Sequence, residues 1–232
     1  MLSALGFLTV IGGARVPDHR TMPWFPVVGA GIGGALALVW LGASEIWAPG
    51  VAAALVIVAD LAITGLLHLD GLADAADGLL PHVDRDRRLA VMSAPDVGAF
   101  ALAVVPTVLL ARWAALATDA VDPRSLVAVW AASRTVMAVV PALVPYARPD
   151  GLAAPFLAGA SPWLAGWILP AGAVLVAAQQ LTGAVALLAL LGTATLVVFV
   201  ARRRLGGFTG DVLGATAVVA ETAALLALAA QP

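Results

Sequence analysis

Long apolar stretches, separated by short segments with charges, glycine or proline, are the dominant pattern along the chain. Most of them reach the roughly 17 to 25 residues that an α-helix needs to cross a lipid bilayer. The pattern predicts an all-α fold, a polytopic integral membrane helical bundle with about seven transmembrane helices. Residues 1–14 are apolar but too short to span, which predicts a short N-terminal interfacial or re-entrant segment. The predicted spans are residues 24–43, 48–67, 97–117, 126–146, 162–178, 181–200 and 212–230.

The composition excludes a soluble globular protein. Apolar residue types make up 62% of the 232 residues and charged types only 11%, whereas a soluble domain has about 25% charged residues. The formal charge of −2 provides no basic field for nucleic acid. With no cysteine, disulfides and thiolate sites are excluded as well. We therefore predict that residues 1–232 form a single integral membrane domain. The expected partner is the lipid bilayer, and the composition is compatible with a homo-oligomer.

Arginines are distributed unevenly between the two ends of the predicted spans. Nine of the 12 basic residues fall on one side, and basic residues gather in the cytoplasmic loops of membrane proteins. The N-terminus and the loops at residues 68–96 and 201–211 are therefore predicted to face the cytoplasm. The nine residues are Arg15, Arg20, Arg85, Arg87, Arg88, Arg148, Arg202, Arg203 and Arg204.

The longest hydrophilic loop, residues 68–96, carries three aspartates spaced i, i+4 and i+7. If the second span continues as a helix through this loop, Asp70, Asp74 and Asp77 share one face and His68 points nearly opposite to Asp70. Three like charges in register repel one another, and their oxygens, without imidazole or thiolate, suit magnesium or manganese. A solvated acidic helix end is the alternative interpretation, but the three-residue register favours a metal site.

The loop at residues 201–211 is the second candidate for chemistry. Its glycines precede a predicted helix, where free backbone amides favour phosphate oxygens, and Asp211 is placed to complete a metal site. A membrane-edge turn with arginines that extend to the interface is the alternative. The candidate residues in this loop are Arg202, Gly207, Thr209 and Gly210.

Arg134 is predicted in the middle of a span, where a charge costs roughly 2.5 to 3.5 kcal/mol. Such a group faces either an anionic ligand or a structural partner, here Asp60 or Glu221, and the sequence leaves both open. Arg148 follows the same span at its cytoplasmic end. Arg112 is predicted nearer the outer end of its span, with its side chain reaching the interface.

These motifs, in this order, resemble the cobalamin synthase family, the adenosylcobinamide-GDP ribazoletransferases. The stretch at residues 64–78, TGLLHLDGLADAADG, is similar to the central acidic motif of that family. One stretch departs from the family pattern: where many members have a Met-Lys-Asp-Ser-Arg type of sequence, residues 92–98 read MSAPDVG, so a basic residue is missing and Asp96 is left out of the site. Supporting matches are residues 25–29, 146–148, 151–153 and 206–215, with Glu221 after them.

The resemblance implies a late step of cobalamin biosynthesis in the cytoplasmic membrane of a prokaryotic cell, with the active face cytoplasmic. Adenosylcobinamide-GDP is joined to α-ribazole, or its 5′-phosphate, and GMP is released. This is phosphoryl transfer, which needs charge neutralisation, alignment and a proton acceptor. Magnesium, or manganese in its place, is expected on Asp70, Asp74, Asp77 and Asp211, with Asp77 and Asp74 catalytic. The substrate-binding residues are expected to be Arg134, Arg148, Arg202, Thr209, Gly207 and Gly210.

Two other functions fit parts of the pattern. A CDP-alcohol phosphotransferase also combines membrane helices, aspartates and magnesium, but its motif requires a further Gly-x3-Asp-x3-Asp that is missing after Gly78. A secondary transporter would use the acidic and basic residues inside the spans as an ion path. The densest acidic cluster lies at the cytoplasmic edge instead, and no inverted repeat is visible in the sequence.

Overall fold

A computed structural model of the chain describes residues 1–13, 16–118, 120–148 and 157–230. Arg15 and residues 151–153, which the sequence analysis used, lie outside the described residues. The described part is α-helical, with short 3-10 turns at Met22–Trp24 and Pro162–Trp167 and an isolated bridge between Tyr146 and Phe208. The helices are α1 (Leu2–Leu8), α2 (Phe25–Ser44), α3 (Pro49–Thr64), α4 (Leu67–Leu79), α5 (Arg85–Val91), α6 (Ala99–Leu116), α7 (Pro123–Leu143), α8 (Ile168–Leu205) and α9 (Gly210–Leu228).

Within the residues that the structure describes, five segments are long and apolar enough to cross a membrane, and a sixth is obtained if the bent pair α3–α4 counts as one span. The all-α polytopic membrane fold is thereby confirmed, whereas the number of seven spans stays a prediction. Large apolar side chains such as Leu38, Leu169 and Leu188 are mostly exposed, as expected for a surface that faces lipid. The five segments are Met22–Ser44, Ala99–Leu116, Pro123–Leu143, Pro162–Leu205 and Gly210–Leu228.

Helix α8 is broken at Gln179 and Gln180, where the backbone leaves the helical conformation. A Cβ added to Gly183 would collide with the carbonyl oxygen of Leu175, although residues eight apart in a straight helix lie about 12 Å apart. The chain therefore folds back on itself at the break. Its position coincides with the boundary predicted between residues 162–178 and 181–200.

The second span does not continue as a straight helix into the acidic motif. Helix α3 ends at Thr64, and α4 begins at an angle of 91° to it. Gly65 and Leu66 have positive φ angles of 59° and 63°, and the amide of Leu66 donates to the carbonyl of Leu61 at 3.0 Å. This left-handed helix end is typical for glycine. The 13 residues of α4 extend about 20 Å, too short to cross a membrane alone.

Glycines permit the closest helix contacts in the bundle. Gly29 and Gly33 of α2 lie directly against backbone carbonyl groups of α7 at Trp130 and Leu126. Helix α4 packs against α9 and α6, and α8 packs against α7 and α9. Small residues at helix crossings are the usual means of close packing in lipid.

Candidate active site at one end of the bundle

Helix α4 and the first turn of α9 are in backbone contact. A Cβ on Gly71 would lie 2.9 Å from the carbonyl oxygen of Asp211, and one on Gly214 would lie 3.3 Å from the Cα of His68. This contact brings the two candidate segments of the sequence together. We define the acidic edge as Asp70 and Asp74 of α4 with Asp211 of α9.

Asp74 is the electrostatic centre of the acidic edge. Burial, reinforced by the carboxylates of Asp211 and Asp70, raises the pKa of Asp74 from 3.8 to about 6, while Arg148 acts in the opposite direction. Asp70 is exposed and Asp74 is partly buried. Three neighbouring carboxylates with one nearby guanidinium leave an excess of negative charge that favours a cation or a proton.

Arg148 connects Asp211 of the acidic edge to the segment between α5 and α6. Its guanidinium donates to the carbonyl of Met92 at 3.2 Å and forms an ion pair with Asp211 at 3.1 Å. The side chain is 26% exposed, so it remains accessible to a ligand. The position of Arg148 agrees with its expected role as an anion-binding residue, which stays a prediction.

The glycine-rich loop packs on residues 145–147. The amide of Phe208 donates to the carbonyl of Pro145 at 3.0 Å, and the amide of Ala147 donates to the carbonyl of Phe208 at 2.8 Å. A Cβ on Gly207 would collide with the Pro145 carbonyl. The close approach of the two backbones therefore explains why position 207 is a glycine. The expected contact of Gly207 with substrate stays a prediction.

Thr209 is the N-terminal cap of α9. Its hydroxyl accepts from the amide of Val212 at 3.2 Å and donates to the carboxylate of Asp211 at 3.2 Å. The side chain of Thr209 is fully buried, so it holds Asp211 in place instead of facing solvent. Gly210 is exposed, with no atom near the position of an added Cβ, and remains available to a ligand.

Asp77 differs from the other two aspartates of α4, because its carboxylate is engaged by another helix. It is 7% exposed, and its carboxylate accepts from the amides of Gly98 at 2.6 Å, Phe100 at 3.1 Å and Ala101 at 3.0 Å. Both oxygens are thus engaged at the first turn of α6. The sequence signal was present but unused: Gly98, the residue before α6, has no side chain to cap that helix.

Three arginines hold the end of α4 and the nearby loops through carbonyl groups. Arg88 donates to Gly78 and Leu79 at 2.8 and 2.9 Å, and Arg204 donates to Leu79 as well. Positive groups at a helix C-terminus satisfy its last carbonyls and interact favourably with its dipole. The third is Arg85, which donates to Leu205 at 2.8 Å and Ala147 at 3.0 Å.

Arg148 and the three arginines described above come from three separate segments of the chain. Their contacts place them at the same end of the bundle as the acidic edge. Nothing in the sequence pattern of the loop at residues 68–96 indicated the contacts of Arg85 and Arg88. Arg202 is exposed and has no polar contact within the described part of the chain, so its expected role in substrate binding stays a prediction.

A buried network of four charged residues lies deeper in the bundle, and we call it the quartet. Arg112 donates to Asp60 at 2.8 Å and to Glu221 at 2.5 Å, and Arg134 pairs with Glu221. Arg134 is 1% exposed, so the structural partner left open by the sequence is Glu221. The prediction that Arg112 reaches the interface is wrong, because it is only 3% exposed and fully paired.

The described residues contain no group of three or more His, Cys, Asp and Glu side chains arranged to hold a metal ion. Asp77 explains part of this, since its oxygens are directed to α6. Magnesium needs less than a complete protein cage, because it usually binds one or two carboxylates together with water and substrate phosphate. The donor set of the acidic edge fits that pattern.

Comparison with known proteins gives matches over nearly the whole chain. An adenosylcobinamide-GDP ribazoletransferase of Alkalilimnicola ehrlichii is 40% identical, covering 99% of this chain and 95% of the relative. Proteins of the same name from Stutzerimonas stutzeri and Chlorobaculum tepidum are 36% and 35% identical, covering 100% and 97% of this chain and 98% and 91% of the relatives. No solved structure matches. Residues 1–229 match the family described as cobalamin-5-phosphate synthase, CobS, and the chain belongs to that family.

Proposed function

We propose that this protein joins adenosylcobinamide-GDP to α-ribazole or α-ribazole 5′-phosphate and releases GMP. The match of the whole chain to the family and to relatives of that name supports the reaction. The structural observation that carries the proposal is the backbone contact between Gly71 and Asp211. It unites the acidic motif and the glycine-rich loop, which are distant in sequence, at one end of the bundle.

The acidic edge supports a magnesium requirement. Burial, together with the carboxylates of Asp211 and Asp70, raises the pKa of Asp74, and a divalent cation would remove the repulsion between these carboxylates. Asp70, Asp74 and Asp211 would hold the ion, and manganese would fit the same oxygens. When bound, the ion would neutralise the diphosphate and the departing GMP oxygen.

Asp74 is the best candidate for the proton acceptor. The attacking hydroxyl of ribazole loses a proton, and a general base works best when its pKa lies near the operating pH. Asp74 has a pKa of about 6 in the absence of magnesium, and it would accept the proton through a carboxylate oxygen that does not hold the ion. Asp77 is a weaker candidate because its two oxygens already accept three amide hydrogen bonds.

Arg148 and the turn before α9 provide the positive groups for the substrate diphosphate. The Arg148 guanidinium lies beside Asp211 and is partly exposed. The exposed Gly210 opens α9, where free amides favour phosphate oxygens. Arg202 is close in sequence and exposed, and we propose that it contacts the same substrate.

We propose that this end of the bundle faces the cytoplasm. Arg85, Arg88, Arg148 and Arg204 all contact groups there, and basic residues at one end mark the cytoplasmic side. The quartet favours no ion path, because its charged groups are paired with one another.

One assay tests the proposal. The purified full chain in detergent is given adenosylcobinamide-GDP and magnesium, and GMP is measured before and after α-ribazole is added. We expect GMP release that depends on α-ribazole and stops in excess EDTA. Full activity in EDTA would refute the metal requirement. Transfer from CDP-diacylglycerol, without reaction of adenosylcobinamide-GDP, would refute the proposed substrate.

A further inference from the structure

His68, the second residue of α4, is a buried polar residue that the acidic edge does not use. It is 4% exposed, and both ring nitrogens are buried without a hydrogen-bond partner among the residues that the structure describes. Buried polar atoms nearly always bond to protein or to ordered water. The imidazole therefore requires a partner that is not a described protein group.

A small cavity lies beside the ring. Its volume is about 10 Å³, close to the minimum that one water molecule requires. An internal water also needs two to four polar partners. The cavity provides them, because its lining includes His68, Thr64 and all four members of the quartet.

Arg134 also lines this cavity, and it carries a second unsatisfied group. Its Nη1 donates to Glu221 and Ser133, whereas its Nε is buried and has no acceptor in the described part of the chain. The Nε–H group is a donor, and a neutral imidazole has one acceptor nitrogen. One water molecule that accepts from Arg134 and donates to His68 satisfies the Nε–H group of Arg134 and the acceptor nitrogen of the imidazole.

We infer that one ordered water molecule in this cavity joins His68 to Arg134, and that His68 thereby positions the acidic helix. The second O–H of the water points to a carboxylate of the quartet, since carboxylate oxygens accept more than one hydrogen bond. His68 is buried on α4, whereas Asp70, two residues later, is exposed. An anchor at His68 therefore sets the rotation of α4 about its own axis, and with it the direction of Asp70 and Asp74.

The presence of the water molecule is tested by experiments that do not measure enzyme activity. A high-resolution experimental structure of the full chain should show one density peak within hydrogen-bond distance of both His68 and the Nε of Arg134. In addition, ¹⁵N-histidine labelling gives three ring systems, of which His19 and His82 are exposed. The His68 signal, identified by its loss in H68N, should show a hydrogen-bonded ring. An empty cavity, or a His68 ring turned out to solvent, would overturn the inference.

The positioning role rests on the proposed function and is tested with three variants. H68L removes the hydrogen bonds, H68N restores an acceptor, and L69A enlarges the same cavity without loss of a polar atom. We expect H68L to raise the magnesium concentration for half-maximal GMP release about 10- to 100-fold. H68N should recover most of this loss, and L69A should retain the wild-type requirement.

Two outcomes would overturn the positioning role: an unchanged magnesium requirement in H68L, or the same increase in L69A as in H68L. If the unmodified chain releases no GMP at all, the proposed function fails. The presence of the water molecule is then still tested by the experimental structure and by the ring signal of His68. Failure of the proposed function can therefore be distinguished from failure of this inference.

Discussion

Gly71 of α4 and Asp211 of α9 touch through their backbones: a Cβ on Gly71 would lie 2.9 Å from the Asp211 carbonyl oxygen and 3.1 Å from its Cα. No side chain separates the two helices at this point. Because Gly71 has no side chain, the two helices come close enough to set the distance between Asp74 and Asp211. A metal ion held by both carboxylates would require that distance.

G71A should separate the two helices at the acidic edge. The added methyl group has only backbone to displace, and overpacking of this kind costs about 1 to 3 kcal/mol. We expect the rate of GMP release to fall at least tenfold, because a shift of about 1 Å at a catalytic site has effects of this size or larger. G34A is the matched control, since nothing lies within 4 Å of a Cβ added at Gly34. Equal rates in G71A and wild type would refute the requirement for close contact.

D74N and D77N should have different effects although the two residues belong to one motif. D74N should raise the magnesium concentration for half-maximal activity at least tenfold. D77N should leave that concentration unchanged and lower stability by about 1 to 3 kcal/mol, because an amide NH2 would face the amide of Gly98. Magnesium titration of GMP release, together with melting in detergent, distinguishes them. A raised magnesium requirement in D77N would instead identify Asp77 as a ligand.

The stability of the metal-free protein should depend on pH through Asp74. Its pKa of about 6 in the folded state lies above its usual value of 3.8, so the folded chain holds more protons than the unfolded chain between these values. Stability in EDTA should therefore fall as pH rises from about 4 to about 6. D74N should lack this decrease, which melting temperatures across the range will show. An identical pH profile in both proteins would contradict the prediction.

Magnesium should reverse this trend. The ion and the proton compete for the same carboxylate, so the increase in melting temperature on magnesium addition should grow as pH rises through 6. A stabilisation that is constant from pH 4 to pH 8 would exclude Asp74 as a ligand.

R134Q should act on stability and not on substrate affinity. It leaves Glu221 without one buried partner, and breaking such a pair costs about 3 to 5 kcal/mol. The melting temperature should fall, while the KM for adenosylcobinamide-GDP in the folded fraction stays unchanged. R202Q is the exposed counterpart and should raise KM without affecting melting. A normal melting temperature with a raised KM in R134Q would support the anion-binding role instead.

The sequence predicted the membrane class, the shared end of the arginines and the local register of Asp70 and Asp74, because these depend on composition and on helical periodicity. It did not predict the break after Thr64. Gly65 was the only local signal for the break, and it lies inside an otherwise apolar window.

The roles of Asp77 and Arg112 were also beyond the sequence. Asp77 bonds to amides more than 20 residues away, and Arg112 bonds to α3 and α9. Partners of this kind are set by tertiary packing. The pattern of a single chain segment does not contain them.

The 91° turn between α3 and α4 affects how a large polar substrate reaches the protein. Because α4 turns away from the axis of α3, its outer side forms a shelf at this end of the bundle, with Asp70 in solvent. Under the proposed function, a bulky corrinoid would dock on this shelf and leave again into the same aqueous compartment. The bundle would then need no corridor through its interior.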